Sequence, residues 1–252
     1  MANPTRWNTD PKVAPLRAQL AACTRLLHRE KILNYSGHIS VRLPDRDAFL
    51  IQSFTQSRAQ VSPESLIACD MDANVIEGPA GYKPPIEVFI HSEILRARPD
   101  TKAVVHTHSE LAAAFTMIEG VEIALMKSHA VRWKSGVPTH ADPSHIKTKR
   151  QGQELAATVG QNNAALLRAH GGVLLAESIP ALMIDAVHFD ENARAHVQAT
   201  QIGKLKPLTT AELDLLTARS NRSDHVGKLW NYYVEAGLEE GIIPADWSGL
   251  LK

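Results

Sequence analysis

After Asp10-Pro11, an N-cap followed by a first-turn proline, apolar positions recur at helical spacing through Val13, Leu16, Leu20, Cys23 and Leu27. That pattern predicts a helix with one buried face, running to about Ile32. Beyond the turn residues NYSG (34–37) the period changes to two. Ile39, Val41 and Leu43 alternate with His38, Ser40 and Arg42, as in a half-buried strand, and DAFLIQS pairs with it across PDR. SLIACDMDANVIEG reads as two short strands around the polar turn Asp72-Ala73-Asn74. PPIEVFIHSEILRARPD (84–100) begins with prolines and ends with Arg96, Arg98 and Pro99, the start and stop signals of a helix of about three turns. Glu87 and His91 share one of its faces.

In the second half, AVVHTH (103–108) is a buried strand ending at Ser109, which caps the helix ELAAAFTMI. VEIAL (121–125) is expected to be a strand, followed to residue 145 by an irregular functional loop rich in His, Trp, Gly and Pro. A helix over about 146–159 leads through QNN into the strand AALLRAH, which Gly171-Gly172 interrupts before VLLAE continues it. Ser178 and Pro180 open a long helix to about Ile202, stopped by Gly203. Thr209 and Glu212 form a capping box ahead of a terminal helix near 224–236. Strand hairpins interspersed among single helices predict an α/β fold: a three-layer α/β/α sandwich around a mainly antiparallel sheet. Its 252 residues are expected to form a single domain, 1–252, with 206–252 a helical C-terminal extension.

Charge narrows the partners. Twenty-seven Lys plus Arg balance 27 Asp plus Glu, so no overall positive field draws nucleic acid or an anionic membrane to the chain. Its longest apolar runs fall far short of the roughly 20 residues that span a bilayer. MANPTRWNTD has polar residues and a proline where a signal peptide would be apolar, which predicts a cytoplasmic protein. Cys23 and Cys69 have no metal or redox spacing and read as reduced core residues.

The candidate chemistry lies in histidines. A strand sends alternate side chains to one face, so His106 and His108 project side by side, close enough to hold one divalent ion. Two solvated polar residues at a strand end is the competing reading. His170, ahead of two glycines that admit close approach, is either a satisfied histidine beside a turn or a third imidazole that completes the three-ligand pattern of catalytic zinc. Near the start of its helix, Glu87 offers either an ordinary first-turn carboxylate or, beside an ion, a fourth ligand and proton carrier. Zn2+ or Mn2+ suits this donor set, as do Fe2+ and Co2+.

With GHISVR (37–42), PPIEVFIHSEILRARPD (84–100), AVVHTHS (103–109) and LLRAHGGVLLAE (166–177), the chain resembles the class II aldolase/adducin family over roughly 12–205. The resemblance implies metal ligands at His106, His108 and His170, an acid/base glutamate at Glu87, and a homo-oligomer, tetrameric or larger, with active sites between subunits. Where sugar-phosphate aldolases of the family hold phosphate, this chain has Gly37-His38, the stretch SFTQSRAQ and Pro85-Ile86. Proline lacks an amide hydrogen and isoleucine a hydroxyl, so donors that a phosphate dianion needs are missing. His38 and Arg58 are the candidate substrate residues instead, Arg58 suiting a planar carboxylate or standing as a solvated loop arginine. Ser57-Arg58 with GHISVR and FIHSEILRARPD resembles the family's metal-dependent decarboxylase branch, which acts on hydroxylated aromatic or ring-derived carboxylic acids. His129 takes a catalytic role by orienting a carboxylate or carrying a proton, or else it is a satisfied loop histidine. Trp133 shares its loop, and Tyr232 and Tyr233 read as packing residues. The expected activity is therefore a carbon–carbon lyase: decarboxylation of a small dihydroxyphthalate- or hydroxypyridine-dicarboxylate-like acid. The rivals are an aldolase cleaving an unphosphorylated hydroxy-keto acid and a non-catalytic, adducin-like module.

Overall fold

A computed structural model describes residues 10–251; the leaderless reading of the first nine residues falls outside them. Eight strands form one sheet: β1 (His38–Arg42), β2 (Ala48–Ile51), β3 (Ile67–Asp70), β4 (Val75–Glu77), β5 (Ala103–Thr107), β6 (Thr139–His140), β7 (Ala164–Leu167) and β8 (Gly171–Ala176). Their spatial order is β4-β3-β2-β1-β5-β8-β7-β6. Neighbours pair antiparallel except β6 and β7, a two-residue parallel contact that no sequence period announced. Helices α1 (Ala14–Arg29), α3 (Glu110–Ala114), α5 (Ile179–Ile202) and α7 (Arg222–Glu239) lie over one face. The other face carries α2 (Val88–Ala97) and α4 (Lys149–Val159), so the expected α/β/α layering holds. A short α6 (Thr210–Ala218), begun by the anticipated Thr209–Glu212 capping box, precedes α7. Trp230 of α7 is buried and donates its indole N–H to Leu251 O at 2.9 Å.

Two sequence expectations are corrected. First, β1 is buried on both faces. Ile39 and Val41 enter the α1/α5 core, while His38 and Ser40 are covered by α2. Polar side chains survive there because each finds a partner: Ser40 bonds His91 of α2, and Arg42 donates to the carbonyls of Leu95, Arg98 and Thr101 near the end of α2. Second, VEIAL is not a strand. Its C-terminal end is held otherwise: Asn192 of α5 donates to Ala124 O and accepts from the amides of Met126 and Lys127 just beyond, His196 accepts from Ala124 N, and Leu125 O accepts from the amide of Leu208. Side-chain partners at 2.8–3.2 Å replace the ladder a neighbouring strand would offer.

Cys23 and Cys69 are both free and buried. Among the described residues no helix is long and apolar enough to cross a membrane.

Candidate metal centre

β5 runs through the middle of the sheet and ends beneath the N-terminus of α2, so its last residues meet the first residues of that helix. His106 stands opposite His38 of β1 on one side and Val173 of β8 on the other. It is fully buried, and its Nδ1 lies 3.1 Å from Gly172 O. A carbonyl can only accept, so Nδ1 carries the hydrogen and Nε2 keeps its lone pair. His108 sits one residue past the strand end, with its Nε2 3.0 Å from that of His106. His170 arrives from a reversal. The strand expected to pass through it ends at Leu167, and the chain turns back through Ala169, at φ 55°, into β8. Gly171 then presses against β5 so closely that a Cβ there would lie 2.0 Å from Thr107 O. The His170 ring comes to 5.0 Å and 4.6 Å, centroid to centroid, from those of His106 and His108.

Glu87, the residue before α2, closes the group. Its Oε2 lies 3.5 Å, 3.7 Å and 3.4 Å from the Nε2 atoms of His106, His108 and His170. Four ligand atoms each about 2.0–2.1 Å from a tetrahedral ion stand about 3.3–3.4 Å from one another. The donors match that spacing, and all four lie within 4.8 Å of one another. The Nε2 of His170 is buried with no hydrogen-bond partner, the orphan expected of an atom whose partner is an ion. Burial favours the neutral ring of His106, holding its pKa below the usual histidine value against the pull of Glu87. For Glu87, burial raises the pKa, but the close approach of the His106, His108 and His170 rings to its Oε2 outweighs it and holds the carboxyl below the usual range. Lone-pair imidazoles and an ionised carboxylate are the protonation states a cation requires, so the residues fit a divalent ion.

The Oε1 of Glu87 faces away from this group. It accepts from the amide of Ile146 at 3.0 Å and lies 3.4 Å from Nδ1 of His145. His145 belongs to the irregular loop after VEIAL. No spacing signal marks it, because it lies on an irregular segment nearly sixty residues from Glu87.

A cleft of about 210 Å³ opens at two of the four donors, Glu87 and His108. Glu87, His108 and His145 line its floor, His38, Arg58 and Lys147 its walls, and the exposed apolar side chains of Tyr35, Phe54 and Ile86 its mouth. Arg58 is buried, its Nε donating to Gly37 O at 2.9 Å and its Nη1 to Gln56 O at 2.8 Å. It is a fixed cation, not a solvated loop residue. Gly37, at φ 86°, is packed so tightly that a Cβ would lie 2.8 Å from His106 O, which lets the loop bring His38 and Arg58 to the donors. His38 lines the cleft with its Nδ1 2.6 Å from Nε2 of His91.

The structure thus brings together His106, His108, His170, Glu87, His38 and Arg58. It does not bring His129 to them. His129 lines a different cleft, its ring stacked parallel to that of His188 at 4.0 Å and its Nε2 3.7 Å from Glu191. Trp133, from the same loop, is in the core, 1% exposed.

The model of the class II aldolase and adducin N-terminal domain matches residues 18–197, most of the chain. The chain belongs to that family. Within it, the chain is 27% identical over 226 residues to a 3,4-dihydroxyphthalate decarboxylase of Arthrobacter keyseri, covering 82% of this chain and 88% of that one. It is 31% identical over 222 residues to an adducin-related protein of Schizosaccharomyces pombe, covering 79% of this chain and 64% of the other. A solved aldolase II superfamily protein from Pseudomonas syringae superposes with a TM-score of 0.83 at 21% identity, over 96% of this chain and 99% of that one, a likeness of fold. Three of the four motifs that carry the family resemblance, 84–100, 103–109 and 166–177, supply the four donors, and the other, 37–42, supplies His38.

Proposed function

We propose that the protein is a metal-dependent carboxy-lyase acting on a hydroxylated aromatic or ring-derived di-acid of the dihydroxyphthalate type. The observation that carries this reading is the composition of the cleft that Glu87 and His108 line: one buried, fixed guanidinium, one lysine and an apolar mouth, with proline and isoleucine just before Glu87. A planar di-acid matches it. One carboxylate meets Nη2 of Arg58, whose Nε and Nη1 hold the backbone, and the flat ring lies between Tyr35, Phe54 and Ile86. The likeness to a 3,4-dihydroxyphthalate decarboxylase supports the same choice of substrate.

His106, His108, His170 and Glu87 would hold the ion, and when bound it supplies Lewis acidity to the electron pair that loss of carbon dioxide leaves on the ring. Glu87 has two jobs because its oxygens face two ways. Oε2 belongs to the donor group, while Oε1, 3.4 Å from His145, would take up the proton that the substrate's ring hydroxyl gives up on binding and pass it to the carbon that lost the carboxylate, leaving the product as its phenolate. Arg58 and His38 hold the acid in register, and the apolar mouth excludes water around the ring. His129 is assigned no part within one chain, because it opens on another cleft; a role for it requires a neighbouring subunit of the homo-oligomer to present it.

The test is to load the purified protein with Zn2+ or Mn2+ and supply 3,4-dihydroxyphthalate or a hydroxy-keto acid in separate reactions. Carbon dioxide from the first, abolished by His108→Ala, is the expected outcome. Aldehyde from the second without carbon dioxide from the first makes the protein an aldolase. Absence of stoichiometric metal makes it an adducin-like module.

A further inference from the structure

A hydrogen-bond chain leads from the sheet to the cleft. Ser40 Oγ lies 2.6 Å from His91 Nδ1, and His91 Nε2 lies 2.6 Å from His38 Nδ1. Ser40 and His91 are fully buried, and His38 is 4% exposed. The direction of the chain decides what His38 shows to the cleft, because a neutral imidazole has one donor and one acceptor nitrogen.

The serine sets that direction. Among the described residues its hydroxyl has no hydrogen-bond partner except His91, so a buried O–H that did not donate to His91 Nδ1 would go unsatisfied. With Nδ1 of His91 accepting, its Nε2 carries the hydrogen and donates to Nδ1 of His38. With Nδ1 of His38 accepting in turn, the hydrogen of His38 sits on Nε2, its one remaining polar atom, on a ring that lines the cleft. The ring is beside the metal ligand His106, centroids 5.1 Å apart, on the adjacent strand.

We infer that Ser40 and His91 are positioning residues that lock His38 in the Nε2–H tautomer, making it a neutral, pre-aimed donor to an anionic oxygen of the substrate. The opposite tautomer would turn a lone pair toward that oxygen and repel it. A neutral donor also leaves the positive charge of the cleft to Arg58, Lys147 and the ion, so His38 selects by geometry and not by net charge. The identity of the oxygen, a carboxylate or hydroxyl of a di-acid, rests on the proposed function; the tautomer does not.

The experiment has two independent readouts on the full-length protein. The first is the 15N spectrum of histidine-labelled protein, apo and zinc-loaded, with His38 assigned by comparison with His38→Gln. A protonated Nε2 and unprotonated Nδ1 are expected, and in Ser40→Ala the signal should shift toward the other tautomer, while Ser40→Thr, which keeps the hydroxyl, restores it. The second is calorimetric binding of phthalate, a di-acid without the reactive hydroxyls, to the zinc-loaded protein. Ser40→Ala should weaken binding by about 5- to 10-fold, the loss of one aligned hydrogen bond, with zinc content unchanged and affinity recovered in Ser40→Thr. A protonated Nδ1 on His38, or a Ser40→Ala protein that keeps the wild-type tautomer, overturns the inference. Failure of phthalate to bind even the wild type counts against the proposed substrate class, while the tautomer is still decided by the spectrum.

Discussion

Replacing Gly171 with alanine tests whether the close approach of β8 to β5 is what assembles the donors. The added Cβ would lie 2.0 Å from Thr107 O and 3.0 Å from His108 Cα, all of it backbone. Ordinary carbon–oxygen contacts lie at about 3.3–3.6 Å, so the strands must part by more than about 1 Å at this point. No side-chain rotation relieves that overlap, and the cost should fall at the upper end of the roughly 1–3 kcal/mol typical of overpacking. The site is affected more than the fold. His170 precedes Gly171, His108 follows Thr107, and their donors must hold ligand distances to within about 0.2 Å. A displacement several times that size should lower zinc affinity by at least about 100-fold, the larger end of what disturbed supporting contacts cause. Zinc competition against a chromogenic chelator, together with urea unfolding of the metal-free protein, measures both effects. Gly203→Ala is the control, since nothing lies within 4 Å of a Cβ at that position. Zinc affinity within about threefold of wild type, roughly 0.7 kcal/mol, with an unchanged unfolding midpoint, would refute the argument that this contact builds the site.

Arg58→Lys keeps the charge but cannot reproduce a guanidinium fixed by Gly37 O and Gln56 O, and calorimetry should show phthalate binding weakened by about tenfold at unchanged zinc content. Arg222→Ala removes two bonds to the buried Asp185, at 2.8 and 2.9 Å, and leaves that carboxylate with Arg132 alone; urea unfolding should show a loss of about 2–4 kcal/mol. His188 concerns acid stability: burial, then the neighbouring His129 and His225, lower its pKa to about 3. Unfolded histidine takes a proton near pH 6.5, so between about 6.5 and 3 the unfolded state binds more protons and stability falls as pH falls. The ceiling on that loss is about 4–5 kcal/mol, reduced by solvent screening of this partly exposed ring to roughly 1–2 kcal/mol. Metal-free His188→Leu should therefore lose less stability between pH 7 and pH 4 than the wild type in parallel urea titrations; equal losses would exclude His188 as the cause.

Local periodicity determined the elements in which packing follows from spacing: the buried face of α1, the β1–β2 and β3–β4 hairpins, and the capped starts of α5 and α6 all stand where the sequence places them. Read for chemistry, strand alternation paired His106 with His108, the two glycines after His170 drew it in, and the family resemblance joined Glu87 to the three. VEIAL misled because an alternating apolar run says nothing of who supplies its backbone partners, and here Asn192 and His196 of a distant helix do. What only tertiary structure decided are contacts between segments far apart in the chain, where no period links the partners. It gave Glu87 a second neighbour in His145, turned His91 inward to Ser40 and His38, and made the polar face of β1 a buried one. It also carried His129 to a cleft of its own. Sequence spacing constrains a side chain within one helix or strand; the packing of α2 over the end of β5 sets which side chains meet across elements, and that depends on the whole core.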